Sequence, residues 1–356
     1  GTRYETRDPV LDEPAVTVDR GDGDDVEEAV AAAAEAADAW AATAPAQRGA
    51  ILQEWADRLA DHVEELAKME TLDTGKPLSD ARGEVEGAID TLEYYAALAR
   101  DQRGSQIQAR EDLHLYTRWE PHGVVGQIVP WNFPTWGAAW KFGPALAAGN
   151  ASVLKPSADS PLTAIRMAEL ADGIVPDGVL NVIPGSGASV GDPLVAHEGV
   201  QKLSFTGSTG VGTHVMEQAA ASITPVTLEL GGKSPFIVFP DADLDKVVPA
   251  VGAGIFYATG EICDAFSRAL VHVDVLEEFT ERFVEHAESY ELGDPLEADT
   301  TMGPLTSESQ FETVTDYLEI GNEEATLLTG GETPSDPALD EGWYVEPTVF
   351  GEVDND

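Results

Sequence analysis

Cys263 is the only cysteine in a chain of 356 residues. An intrachain disulfide is therefore ruled out, and the thiol is either small apolar filling or a nucleophile. It stands in Gly260-Glu261-Ile262-Cys263-Asp264, after a glycine at the expected end of a helix and among polar neighbours. A thiolate attacks a carbonyl carbon far better than a hydroxyl does. Glu229 lies 34 residues earlier, at the end of an expected strand over 225–230 and before Gly231-Gly232. Two glycines there let the backbone change direction, although a solvated strand end is the plainer reading of such a glutamate. Asn132 sits in the proline-bounded turn Pro130-Trp131-Asn132-Phe133-Pro134, where a turn asparagine is common. The run Phe205-Thr206-Gly207-Ser208-Thr209-Gly210-Val211-Gly212 closes an expected strand and opens a helix. Backbone amides and the helix dipole would face an anion at that point. Gly185-Ser186-Gly187 with Gly191 reads equally as a second phosphate loop or as a tight strand-to-helix turn.

The elements that must carry these residues follow from periodicity. Three helices are expected in the first hundred residues: 26–40, capped by Asp24 or Asp25; 46–71, with Ile51, Leu52, Trp55, Leu59 and Val63 at helical spacing; and 78–103. Gly75 and Pro77 separate the last two. Alternation over 105–120 predicts a hairpin of two strands. Beyond Gly123 strands and helices take turns: strands at 124–129, 151–155, 179–183 and 202–206, with helices at 136–148, 161–172, 189–197 and 211–220. That rhythm predicts a parallel sheet with helices on both faces. A second α/β region follows Glu229, with strands at 236–239, 269–273, 325–328 and 345–350 and helices at 244–259, 275–290 and 307–321.

The chain is long enough for two or more domains. Acids number 65 against 20 bases, a net charge of -45. A nucleic-acid groove is excluded on that balance, because so acidic a surface repels phosphate. The acids are spread along the chain rather than blocked into a tail. This points to a folded protein kept soluble in concentrated salt, where repulsion is screened to within about 3 Å at 1 M. No apolar run reaches membrane-spanning length. The first residues show neither a leader pattern nor an initiator methionine, so a removed leader stays open.

Taken together and in order, the segments around Asn132, Gly207, Glu229 and Cys263 resemble the aldehyde dehydrogenase superfamily, from about Asp24 to Val353. The resemblance implies a doubly wound dinucleotide-binding domain (1–104 and 123–229), an oligomerisation hairpin (105–122) and a second α/β catalytic domain (230–356). It implies NAD or NADP as cofactor, a small aldehyde as substrate, no metal, a cytoplasmic setting and a homo-oligomer. Cys263 would form a thiohemiacetal and then, on hydride loss, a thioester. Glu229 would act in a partly closed site as the base that activates water against that thioester. Asn132 and the Cys263 backbone N–H would hold the tetrahedral oxygen, with Lys141 as an accessory near the base. Ile128, Pro130, Trp131, Phe205, Gly207, Ser208, Val211 and Leu230 would line the dinucleotide site. Lys155 would reach the adenosine ribose, Gly187 and Gly191 would lie beside the adenine, and Gln310 near the nicotinamide ribose.

Several positions depart from the family pattern. Ala258, Glu261 and Phe266 stand where Asn, Gln and Gly are usual. Asp264 puts a negative charge beside the thiol, disfavouring anionic aldehydes. Ala158 stands where a ribose-gripping glutamate is often found. The family chain also continues well past Pro347-Thr348-Val349-Phe350, through a Glu-Glu-x-Phe-Gly-Pro segment. The expectation is thus of a chain trimmed at its C-terminus and slightly at its start. Two functional readings stay open: an aldehyde-oxidising enzyme, and a non-catalytic dinucleotide-binding fragment or pseudoenzyme of the same fold.

Overall fold

Two strands open the chain, β1 (Thr2–Asp8) and β2 (Glu13–Arg20), where the helical reading of the first hundred residues leaves none. Alternating β-formers, Thr2, Tyr4 and Thr6, then Val16 and Val18, favour the pleat. Asp8 turns the chain by accepting the Val10 N–H at 2.8 Å. The structure, a computed structural model, describes residues 2–354.

Helix α1 (Gly23–Ala42) begins earlier than its apolar stripe suggests. Asp22 is the cap, accepting from the Asp24 and Asp25 N–H groups, while Asp25 returns a carboxylate to the Asp22 N–H. This reciprocal box satisfies donors that the helix itself cannot. The helix expected over 46–71 is in fact two, α2 (Pro45–Ala60) and α3 (Val63–Thr74), separated at Asp61 and His62. The break is a single tightened turn, with the His62 N–H donating to the Leu59 carbonyl. Apolar periodicity does not register so short an interruption. Helix α4 (Leu78–Leu98) ends in a 3-10 turn, and a wholly exposed ribbon follows, β3 (Gln106–Arg110) with β4 (Leu113–Tyr116).

The main sheet is built from β5 (Val124–Ile128), helix α5 (Pro134–Ala147), β6 (Ala151–Lys155), α6 (Leu162–Leu170) and β7 (Leu180–Val182). A π-turn over Gly187–Gly191 leads into the short α7 (Asp192–Ala196), so the helix expected at 189–197 is mostly a capped turn. Then come β8 (Lys202–Gly207), α8 (Thr209–Ala220) and β9 (Val226–Leu230). Strand order is β7-β6-β5-β8-β9, and β5 pairs in parallel with both neighbours. The sheet therefore grows outward from β5 in two directions, the doubly wound arrangement. Strand β5 is buried almost throughout, and Trp40, Trp55 and Phe142 fill the core around the sheet. The indoles of Trp40 and Trp55 donate to the Leu146 and Met167 carbonyls, which keeps buried polar atoms satisfied.

The second α/β region comprises β10 (Pro235–Val238), α9 (Leu244–Phe256), β11 (Arg268–Val271), α10 (Leu276–Ala287), α11 (Glu308–Glu324), β12 (Thr326–Thr329) and β13 (Val349–Gly351). Its core is Val238, Leu244, Val248, Val251, Phe256, Phe279 and Phe283, with Phe279 and Phe283 stacked at 5.5 Å. The strand expected at 345–350 shrinks to three residues, because Pro347 has no N–H to give a ladder. By its contacts the chain falls into two units: Val18–Leu66 and Glu84–Glu229 with the first residues, and Glu5–Thr17, Ala67–Gly83 and the chain from Leu230 onward.

Helix α9 stops at Phe256, short of the expected 259. Ala258, Thr259 and Gly260 follow with φ of 45°, 55° and 77°. Only Gly260 takes that left-handed region without strain; a β-branched threonine there is a steric outlier. Thr259→Asn keeps a polar side chain and tolerates the conformation. It is expected to raise unfolding stability by about 1 kcal/mol, read as a higher urea midpoint at unchanged slope. A lower midpoint would show that the Thr259 hydroxyl, 3.4 Å from the Gly303 and Pro304 carbonyls, outweighs the strain.

Candidate active site

In an open sheet of this type, ligands sit beyond the carboxyl ends of the strands where the order reverses, here between β5 and β8. The register sets Lys155, Ile128 and Phe205 side by side at those ends. Strands lie about 4.8 Å apart, so these three positions span roughly 10 Å. Strand β5 runs on into Pro130, Trp131 and Asn132, all half-buried, with the Trp131 carbonyl held by the Ser160 hydroxyl at 2.8 Å. After β8 come Gly207 and Ser208. The Ser208 hydroxyl caps α8 by accepting from the Val211 N–H. A side chain at Gly207 would strike the Phe205 ring at 2.6 Å, which accounts for glycine there.

Gly191 packs against the Lys155 and Ile128 side chains, its would-be Cβ 3.8 Å and 4.0 Å from them. Gly187, at the start of the π-turn, is exposed and opens onto free space. Of the two readings of the 185–191 glycines, the geometry describes the tight turn. It is closed by a capping box between Ser186 and Ser189, and it brings Gly191 to the sheet edge. Lys155 itself is buried. Desolvation lowers its ammonium to about 8, against which the nearby Asp159 charge works.

Lys141, on α5, is also buried and donates from Nζ to the Ser204 hydroxyl at 2.9 Å. Burial lowers it to about 8, opposed by the Glu229 carboxylate and reinforced by Lys202. Lys141, Ser204 and Glu229 are therefore neighbours across α5, β8 and β9. Glu229, however, is exposed at the end of β9, which corrects the expectation of a partly closed site around it. The alternation of β9 turns this face outward.

Cys263, Leu230 and Gln310 belong to the second unit. Cys263 is exposed, so the apolar-filling reading fails, and its Sγ lies 4.0 Å from Asp264 Oδ1. The thiol comes three residues after the left-handed run 258–260. Phe266 packs on Phe236 at 5.1 Å, with its ring over Gly254, so the bulky departure from the family pattern fills the local core. Leu230 is half-buried at the end of β9, and Gln310 lies in the first turn of α11, which Ser307 caps. Sequence reasoning did not single out Ser204, Thr306 or Lys76. Ser204 and Thr306 have partners remote in sequence, and Lys76, though only six residues from its partner Glu70, lies in a segment that reads as a helix stop.

The strand order, the glycine-led helix opening at its switch point and the buried lysine at the sheet edge define a doubly wound α/β protein. The chain matches the family model described as "Aldehyde dehydrogenase family" over residues 1–356. It is 42% identical over 361 residues to DhaS of Bacillus subtilis (strain 168), covering 100% of this chain and 72% of that protein. Among solved structures, the aldehyde dehydrogenase from Bacillus cereus in its NAD+ complex aligns with a TM-score of 0.97 at 40% identity. That match covers 100% of this chain and 73% of the other. PnpE from Pseudomonas sp. WBC-3, in complex with nicotinamide adenine dinucleotide, aligns with a TM-score of 0.96 at 41% identity over 98% of this chain and 72% of its own. The chain belongs to the aldehyde dehydrogenase family.

Proposed function

We propose that this chain oxidises an aldehyde to its carboxylate with NAD or NADP, through a covalent adduct on Cys263. The observation that carries the reading is an exposed thiol three residues after a left-handed run in a chain of this family. The residues at the sheet edge fit a dinucleotide. Lys155 supplies a cation, the first turn of α8 supplies helix N–H groups, and Gly187 and Gly210 leave open space where a Cβ would stand. When bound, the cofactor takes up the hydride leaving the adduct carbon.

The chain's own part is as follows. The Cys263 thiolate adds to the carbonyl carbon, and Asn132 and the Cys263 N–H stabilise the oxygen that becomes negative. Loss of hydride leaves a thioester, and Glu229 takes a proton from the water that cleaves it. Lys141, close enough for its charge to meet that of Glu229, offers the carboxylate a counter-charge.

The test separates the two half-reactions. Glu229→Gln is expected to give a burst of reduced cofactor of about one equivalent per Cys263, then slow turnover, because only hydrolysis needs the base. Absence of any burst, with cofactor still bound, would favour the non-catalytic reading. For cofactor choice, Ala158 offers no carboxylate against a 2′-phosphate. NADP should therefore be accepted with kcat/KM within about a hundredfold of NAD, some 2.7 kcal/mol. A larger preference for NAD would mean that another group selects.

A further inference from the structure

Glu261 stands two residues before Cys263, and its carboxyl group is bound by Thr306. The Thr306 N–H reaches both carboxyl oxygens, at 3.2 Å and 3.3 Å, and Thr306 Oγ1 lies 2.8 Å from Oε2. The same hydroxyl lies 3.0 Å from the Thr74 carbonyl oxygen, at the end of α3. A threonine hydroxyl carries one proton. If Glu261 is ionised, its Oε2 and the Thr74 oxygen are both acceptors, and the hydroxyl serves only one of them. If Glu261 is protonated, the chain closes: the carboxyl O–H donates to Thr306 Oγ1, and Thr306 O–H donates to Thr74. Oε1 still accepts the Thr306 N–H.

We propose that Glu261 works as a neutral carboxylic acid, positioning the Cys263 segment by a relay through Thr306 to Thr74, and that loss of its proton loosens this hold. The proposal rests on Cys263 being the nucleophile. The segment needs such a hold, since three successive left-handed residues precede Glu261. Further ties run from Thr259 Oγ1 to the 303–304 carbonyls and from the Ala258 N–H to the Asp80 carboxylate.

The Thr306 hydrogen bonds and, after them, the Lys76 charge favour the ionised form of Glu261. Lys76 Nζ is also bound to Glu70 at 2.9 Å in a buried pair. The acids beside the segment are Asp80, hydrogen-bonded to the Ala258 backbone, and Asp264. Asp80 is itself raised by burial, and Asp264 is exposed. Desolvation prevails and pushes Glu261 up to about 8. The raised value makes the native state bind an extra proton between the usual carboxylate range and about pH 8. Stability is thus fully present below pH 4.5 and is lost as pH rises through about 8.

Glutamine mimics the neutral acid, with an amide N–H in place of the O–H. Glu261→Gln should therefore retain kcat near neutral pH and extend it, together with the alkylation rate of Cys263, into the alkaline range where the parent protein declines. Glu261→Ala should lower kcat about tenfold, the effect of one lost buried hydrogen bond, with KM little changed. In thermal melts, Glu261→Gln should lack the decline in stability from about pH 5 to about pH 8. Thr306→Val, which breaks the relay, should erase the difference in alkaline behaviour between the parent and the Glu261→Gln variant when introduced into each. The proposal is overturned if Glu261→Gln matches Glu261→Ala, or if it keeps the parental alkaline limb in both kcat and stability. The melts judge the state of Glu261 even if Cys263→Ala remains active, an outcome that would defeat only the nucleophile reading.

Discussion

Cys263→Ala is expected to abolish aldehyde oxidation while leaving cofactor affinity within about threefold, a difference below about 0.7 kcal/mol. The thiol is the sole sulfur nucleophile in the sequence, so no second cysteine can take over its role. Water alone cannot substitute, because without the thiohemiacetal the hydride has no covalent adduct from which to leave. Cofactor binding should survive because Lys155, Gly191, Gly207 and Ser208 hang on the ends of β6, β8 and the turn between them. Cys263 belongs to none of these elements. Two measurements check this: reduced-cofactor absorbance with aldehyde, and a fluorescence titration with cofactor alone. Undiminished turnover in the variant would remove the covalent mechanism altogether. Loss of cofactor binding with a normal melt would instead assign the thiol to the dinucleotide site.

The features that the sequence makes legible are those set by local chemistry. Strands β5, β6 and β8 follow from short apolar runs between turns, and the glycine-led start of α8 follows from its residue types. The capped turn at 187–191 is only half visible. Serines 186 and 189 form a box that resembles a helix start, and Pro193 then sets the true one. What the sequence hides depends on partners far along the chain. Lys141, singled out only through the family resemblance, is by its own spacing one more polar residue on an apolar helix until α5 packs and brings it to Ser204, 63 residues away. Glu261 reads as a mildly acidic neighbour of the thiol until Thr306, 45 residues on, supplies its hydrogen bonds. The left-handed run at 258–260 escapes because only Gly260 announces it, and Ala258 and Thr259 prefer other conformations. Exposure of Glu229, by contrast, is written in the strand: Thr227 and Glu229 alternate with half-buried Val226, Leu228 and Leu230 and share the outward face.

Asn132→Ala is expected to lower kcat by about 10²- to 10³-fold with KM nearly unchanged, the loss typical of one oxyanion donor. The residue lies in the turn between β5 and α5, at the point where the strand order reverses. Pro130 and Pro134 fix the backbone on either side, and Trp131 is anchored through its carbonyl by Ser160. An amide so placed is preorganised, and it needs no reorganisation when charge appears on the substrate oxygen. Its hydrogen bond strengthens as the carbonyl becomes an alkoxide. The benefit therefore falls on the transition state rather than on substrate binding, which is why kcat and not KM should carry the effect. Asn132→Asp separates shape from donation. It keeps the volume but sets a carboxylate against the developing negative charge, so it should be at least as slow as the alanine variant. Equal melting temperatures for all three proteins would show that the turn is intact. A kcat within about threefold of the parent in Asn132→Ala would mean that backbone donors alone hold the oxygen.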